Sequence, residues 1–157
     1  MRPVRAAAAA AAGVLLLGAC GSGSGEPAGT ADSDEATEPT VTVGDDLTFT
    51  VEVARTDEEL SDGLSGREEL AGDEGMYFDF GESRAGRVWM VGMEFSIDVA
   101  WIADGRVLSV ERDLPPCETA AEECEIWSAG ADVDGFLEVT AGGLDGVEGG
   151  ESVTLSE

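Results

Sequence analysis

One short run constrains this chain more than any other: Ile97 to Ala103, IDVAWIA, followed by Asp104-Gly105. In a strand, alternate residues share a face, so Ile97, Val99 and Trp101 point one way and Ala100 and Ile102 the other. Both faces are apolar, which places the strand inside the fold with packing on either side. Asp104-Gly105 is a two-residue hairpin signal, and RVLSVER returns as the next strand. One acid interrupts the run. Asp98 must be hydrogen-bonded, paired, or placed at an exposed strand end. Arg67, Arg84, Arg87 and Arg106 are candidate partners, and the residues leave open whether Asp98 is a structural acid or a ligand contact.

The neighbouring segments build outward from that strand. VTV and LTFTVEVA alternate around the turn GDD and read as a hairpin, with Leu47, Phe49, Val51 and Val53 on one face. The period then changes. Thr56 and Glu59 form a T-x-x-E capping box, Asp57 and Glu58 occupy the first turn, and Gly63 is a stop. That predicts one short helix from about Thr56 to Asp62, with Leu60 and Leu64 on one face. MYFDF reads as a strand, GESRAG as a turn, and Arg87–Val91 as another strand. After the 117–124 segment come GFLEV, a glycine-broken stretch and a closing strand SVTL. The expected fold is α+β and mainly β: a compact, closed or nearly closed antiparallel sheet with one short helix.

The first 40 residues have a different composition. MRPVR carries two arginines, and an apolar run from Ala6 to Leu17 follows, too short to span a bilayer. It ends LLLGAC, which resembles the bacterial lipobox. That resemblance implies a signal peptide over residues 1–19 and lipid on the sulfur of Cys20. Residues 20–40 are rich in Gly and Ser, then acidic, with no large apolar side chain. Such a segment cannot form a core and serves as a flexible tether, reaching roughly 25 Å. Residues 41–157 make the single folded domain. The expected location is extracytoplasmic, on the bacterial cell membrane, with the lipid as the membrane contact.

Charge and missing residue types narrow the function. The formal charge is −26, with 34 acids and only 8 basic residues. Two of those bases are Arg2 and Arg5, inside the signal. Such a surface repels nucleic acid. The chain has no histidine and no lysine, which removes Ser-His-Asp and Cys-His nucleophile systems, Schiff bases and the P-loop lysine. Paired carboxylates remain, but acids are too abundant for pairs to carry a signal.

Two local patterns bear on ligands. With Cys20 lipidated, Cys117 and Cys124 are left in PPCETAAEEC. Outside the cytoplasm such a pair forms a structural disulfide, and without histidine it completes no zinc site. DVDGFLE, Asp132 to Glu138, suggests calcium, but the EF-hand register puts Gly130 and Ala141 where the first and twelfth ligands belong. It is better read as a turn entering a strand. No metal ligand set and no cofactor are expected.

Taken together, VEVARTDEELSDGLSGREELAGDEGMYFDF, VWM, SIDVAWIADGRV, LPPC and FLEV resemble the "domain of unknown function 192" family from about Val43 onward. The resemblance implies a mainly β fold, supplies no established activity, and agrees with secretion or lipid anchoring. It carries Glu52, Thr56, Glu59, Gly63, Leu64, Arg67, Gly75, Met76, Phe78, Phe80, Trp89, Met90, Ile97, Asp98 and Gly105 onto family positions. The chain departs where Ser65-Gly66 replaces Met-Phe and where Val91-Gly92 replaces Lys-Asn. The expected function is a non-catalytic binding or accessory module of the envelope, with an envelope protein or a small ligand as partner. Arg67, Trp89, Met90 and Asp98 are the candidate ligand contacts. A carboxylate-based envelope enzyme is the competing reading.

Overall fold

The computed structural model describes residues 37–157. Cys20, the signal and most of the tether lie outside them. Seven strands form one sheet: β1 (Thr40–Val43), β2 (Leu47–Ala54), β3 (Glu74–Trp89), β4 (Ile97–Ala103), β5 (Arg106–Leu114), β6 (Ile126–Thr140) and β7 (Val153–Ser156). The helix α1 (Asp57–Asp62) joins β2 to β3. The order across the sheet is β5-β4-β6-β3-β2-β1-β7.

Local chemistry explains the elements that the sequence predicts well. Thr56 caps α1, its hydroxyl accepting from the Glu59 N–H, while the Glu59 carboxylate accepts from the Thr56 N–H. Asp104 and Gly105 both adopt positive φ (51° and 66°), the requirement of a tight turn whose twist matches the β4–β5 hairpin. The β1–β2 hairpin also forms as expected. Cys117 and Cys124 are joined in a disulfide, with Cα atoms 5.8 Å apart.

The sheet corrects three expectations. It is not wholly antiparallel, because β2 and β3 run parallel, with α1 in the crossover. A parallel pair needs a long connection, and residues 55–73 supply it. GESRAG is not a turn. β3 continues through it to Trp89 beside β6, with register irregularities between Asp79 and Arg84 and between Ala85 and Arg87. Likewise Asp132–Gly135 lies within β6, which starts at Ile126. Gly135 sits where the strands crowd. A Cβ there would collide with the Phe78 carbonyl oxygen.

Curling divides the core in two. Val41, Val43, Phe49, Ala100, Ile102, Val107, Leu137 and Val139 form one buried cluster, with Leu144 and Val147 from the loop after β6. It joins β1 and β5, near opposite ends of the strand order, so this face is concave. The second cluster lies on the other face under α1: Leu64, Met76, Phe78, Val88, Met90, Met93, Ile97, Val99, Trp101 and Phe136. β4 contributes to both, as its two-faced apolar pattern requires. The sheet is open rather than closed. The β5 and β7 ends approach through the bridge Arg106–Ser152 and flanking backbone hydrogen bonds from Val107 to Glu151 and from Val153 to Gly105. Among the described residues, no helix is long and apolar enough to cross a membrane.

Candidate functional site

The four residues singled out as ligand contacts do not meet in one place. Asp98 is buried, and no arginine among the described residues answers it. Its Oδ1 accepts from the Asp113 N–H at 2.9 Å, and its Oδ2 from the Gly142 and Leu144 N–H groups at 2.9 and 3.1 Å. A bulge in β5 presents the first donor. Ile97 pairs with Leu114 and Val99 with Glu111, so Arg112 and Asp113 together oppose Asp98. Asp113 takes positive φ there. Arg112, in the same bulge, donates to the carbonyls of Leu144 and Val147. Asp98 and Arg112 thus clamp the N–H and C=O groups of one loop, whose Leu144 and Val147 fill the concave core. This is the satisfied structural role open to a buried carboxylate.

Arg67 makes a bidentate pair with Glu52, with both N···O distances 2.7 Å. The guanidinium holds the Glu52 carboxyl below its ordinary value through that hydrogen bond. Both side chains are substantially exposed. Met90 is completely buried in the core under α1. Arg67 also lines two shallow clefts beside Glu52, and Trp89, 52% exposed, borders a further open site.

That site is a cleft of about 220 Å³ on the face opposite Asp98. Leu60 to Ser65, the end of α1 and the turn after it, form one wall. Val88, Met93 and Ile97 form another, and Arg87 and Trp89 stand at the rim. The floor is aromatic, with Phe78 and Phe136 stacked at 4.2 Å between centroids and 14° between planes. Phe136 and Glu138, two apart in β6, point the same way. Glu138 therefore enters the floor, between the cross-strand neighbours Met76 and Val99.

Glu138 is the residue that the sequence reading missed. It is 5% exposed, and no hydrogen bond or neighbouring charge among the described residues acts on its carboxyl. Burial alone pushes its carboxyl up to about 8, so it is largely protonated at neutral pH. The signal was present in the sequence. FLEV is apolar on both sides of its acid, as IDVAWIA is around Asp98. Asp98 spends its charge on three amides, whereas Glu138 has none to accept from.

The two departures from the family pattern touch each other beside this cleft. The Ser65 hydroxyl donates to the Val91 carbonyl at 3.1 Å, and the Gly66 N–H donates to the Gly92 carbonyl at 2.8 Å. Small residues at both positions let the loop after α1 close on the loop after β3. A buried indole N–H, Trp101 Nε1, has no acceptor among the described residues and lies on the same sheet face. Among the described residues, no group of three metal-ligating side chains comes together.

These features have counterparts in known sequences and structures. The DUF192 family model, described as "Uncharacterized ACR", matches residues 40–155. A protein of unknown function from Novosphingobium aromaticivorans DSM 12444 is similar in structure, with a TM-score of 0.66 and 26% identity over 73% of this chain and 83% of that one. A protein from Sinorhizobium meliloti 1021 described as a "putative transcription regulator" is similar at a TM-score of 0.65 and 28% identity, over 74% of this chain and 92% of that one. No curated protein matches the sequence. The match over nearly the whole folded part shows that this chain belongs to the DUF192 family.

Proposed function

We propose that the domain is a non-catalytic binding module, held outside the cell by lipid on Cys20, and that the cleft over Glu138 receives a small ligand. One observation carries the reading: a largely buried acid with no partner among the described residues lines a cleft whose floor is aromatic and whose walls are mixed. An isolated polar group in such a place costs stability, so a structural role does not account for it. A cleft with an aromatic floor and a few polar groups around it is a common form of small-molecule site. The chain's acidity disfavours nucleic acid, so the description attached to the Sinorhizobium structure is not extended to this protein.

A thermal-shift screen of small metabolites tests the cleft. A stabilising ligand is expected, with its effect lost in Glu138→Gln and kept in Arg67→Ala. A ligand whose effect survives Glu138→Gln places the site elsewhere. The anchor is tested separately by Cys20→Ala, which should prevent processing and lipidation. Normal processing and membrane release of that variant in detergent only would reject Cys20 as the anchor.

A further inference from the structure

The binding reading leaves the chemical class of the ligand open, and the cleft constrains it. We infer, resting on that reading, that the cleft takes a small primary or secondary amine bearing an apolar group, with the ammonium on Glu138 and the apolar part against Phe78 and Phe136. The geometry supplies both halves. Glu138 is the buried acid that opens onto the cleft, and no protein donor occupies its oxygens. A carboxylate with open lone pairs calls for an N–H donor, and a charged donor makes the stronger bond. The stacked Phe78 and Phe136 offer a flat apolar surface beside it. Trp89, half exposed, borders the cleft.

Size and field agree with this class. At about 220 Å³ the cleft is below the usual size range of drug-sized ligand pockets, so the ligand is small. A formal charge of −26 draws cations toward every opening and keeps anions away. The other charges around Glu138 are few. Asp62 comes from α1 and Arg87 from β3, both in the cleft lining. Across Met76 stand Glu52 and Arg67, which neutralise each other. On this face β4 contributes no charge, only Ile97, Val99 and Trp101. Arg87 is the one feature that favours an anion, and it stands at the rim rather than the floor.

Proton linkage gives the inference a specific signature. Free Glu138 is protonated at neutral pH, and an ammonium ligand binds its ionised form. Binding therefore releases close to one proton to solvent at pH 7, and affinity rises about tenfold per pH unit between pH 6 and 7.5. The amine itself stays charged over that range, as a lysine does. A neutral ligand accepting a hydrogen bond from protonated Glu138 releases none.

Calorimetry on the full chain in nanodiscs of neutral lipid, run in two buffers of different ionisation enthalpy, separates these cases. The probes are phenethylamine, 2-phenylethanol and phenylacetate, with empty nanodiscs as the blank. The amine should bind with release of about one proton at pH 7 and lose at least tenfold in affinity in Glu138→Gln. Glu138→Leu, which fills the space without polarity, should abolish amine binding while remaining folded. Binding of the alcohol or the acid in place of the amine overturns the cation and leaves the cleft a ligand site. Binding of none of the three overturns both. Amine binding unaffected by either variant overturns the role of Glu138.

Discussion

Asp98 and Glu138 sit almost side by side and solve the same problem in opposite ways. Asp98 pairs across strands with Val139, and Glu138 with Val99, so the two acids are neighbours in the ladder pointing to opposite faces. Both are buried. Asp98 faces the concave core, where a bulge and a glycine-rich loop turn three N–H groups onto it. Glu138 faces the layer under α1, where the surrounding side chains are apolar and the cleft lets its carboxyl open outward. Burial of an acid is therefore not itself a mark of function. What separates a keystone from a candidate contact is whether the fold supplies the partners.

Substitution should separate the two acids, beginning with the larger effect. Asp98→Ala leaves one buried and two partly buried N–H donors without their acceptor and should cost on the order of 3 kcal/mol in denaturant unfolding. A loss below ~1 kcal/mol would mean that the loop does not depend on this clamp. Glu138→Leu should act in the opposite sense at pH 8, raising stability by ~1–3 kcal/mol because an unpaired buried acid is removed. A clear loss of stability there would show a structural partner for Glu138 and erase the contrast.

The pH dependence sharpens the same point. The folded value for Glu138, about 8, lies above its ordinary 4.5, so between these values the native state binds more protons than the unfolded one. Its contribution is fully present below about pH 4.5 and is lost as pH rises through 8, by up to ~1.4 kcal/mol per unit. Unfolding free energies measured across pH 5–8 should fall more steeply in the wild type than in Glu138→Gln. Equal slopes would remove the elevated carboxyl. The smallest effect is expected at the exposed pair: Arg67→Ala should cost less than ~1 kcal/mol, and less still in high salt. A larger loss would give Arg67 a role beyond its exposed pairing with Glu52.

Much of the fold could be read from the sequence, and the failures have physical causes. The capping box at Thr56 and the Asp104-Gly105 turn are local chemistry, and both formed as read. The two-faced burial of β4 followed from alternation alone. The parallel β2–β3 pairing did not, because strand direction depends on where α1 lands, and no local residue encodes that. GESRAG has the composition of a turn, yet it is held in strand by pairing with β6, far along the chain. The site was harder still. The partners of Asp98 are backbone amides, which carry no side-chain signature. Glu138 was hidden among 34 acids, although the rule applied to Asp98 also singles it out.

The pairing of β1 with β7 has a kinetic consequence. Thr40 lies opposite Ser156, so this ladder closes a loop on the order of a hundred residues. Contacts so distant in sequence cannot nucleate early, and a sheet that depends on them folds in milliseconds to seconds. β7 should therefore dock last and detach first. Stabilising substitutions in that strand would then slow unfolding while leaving the folding rate nearly unchanged. For a domain expected to work outside the cell, where unfolding is followed by proteolysis, the persistence of the fold would be governed by its last four-residue strand rather than by its core.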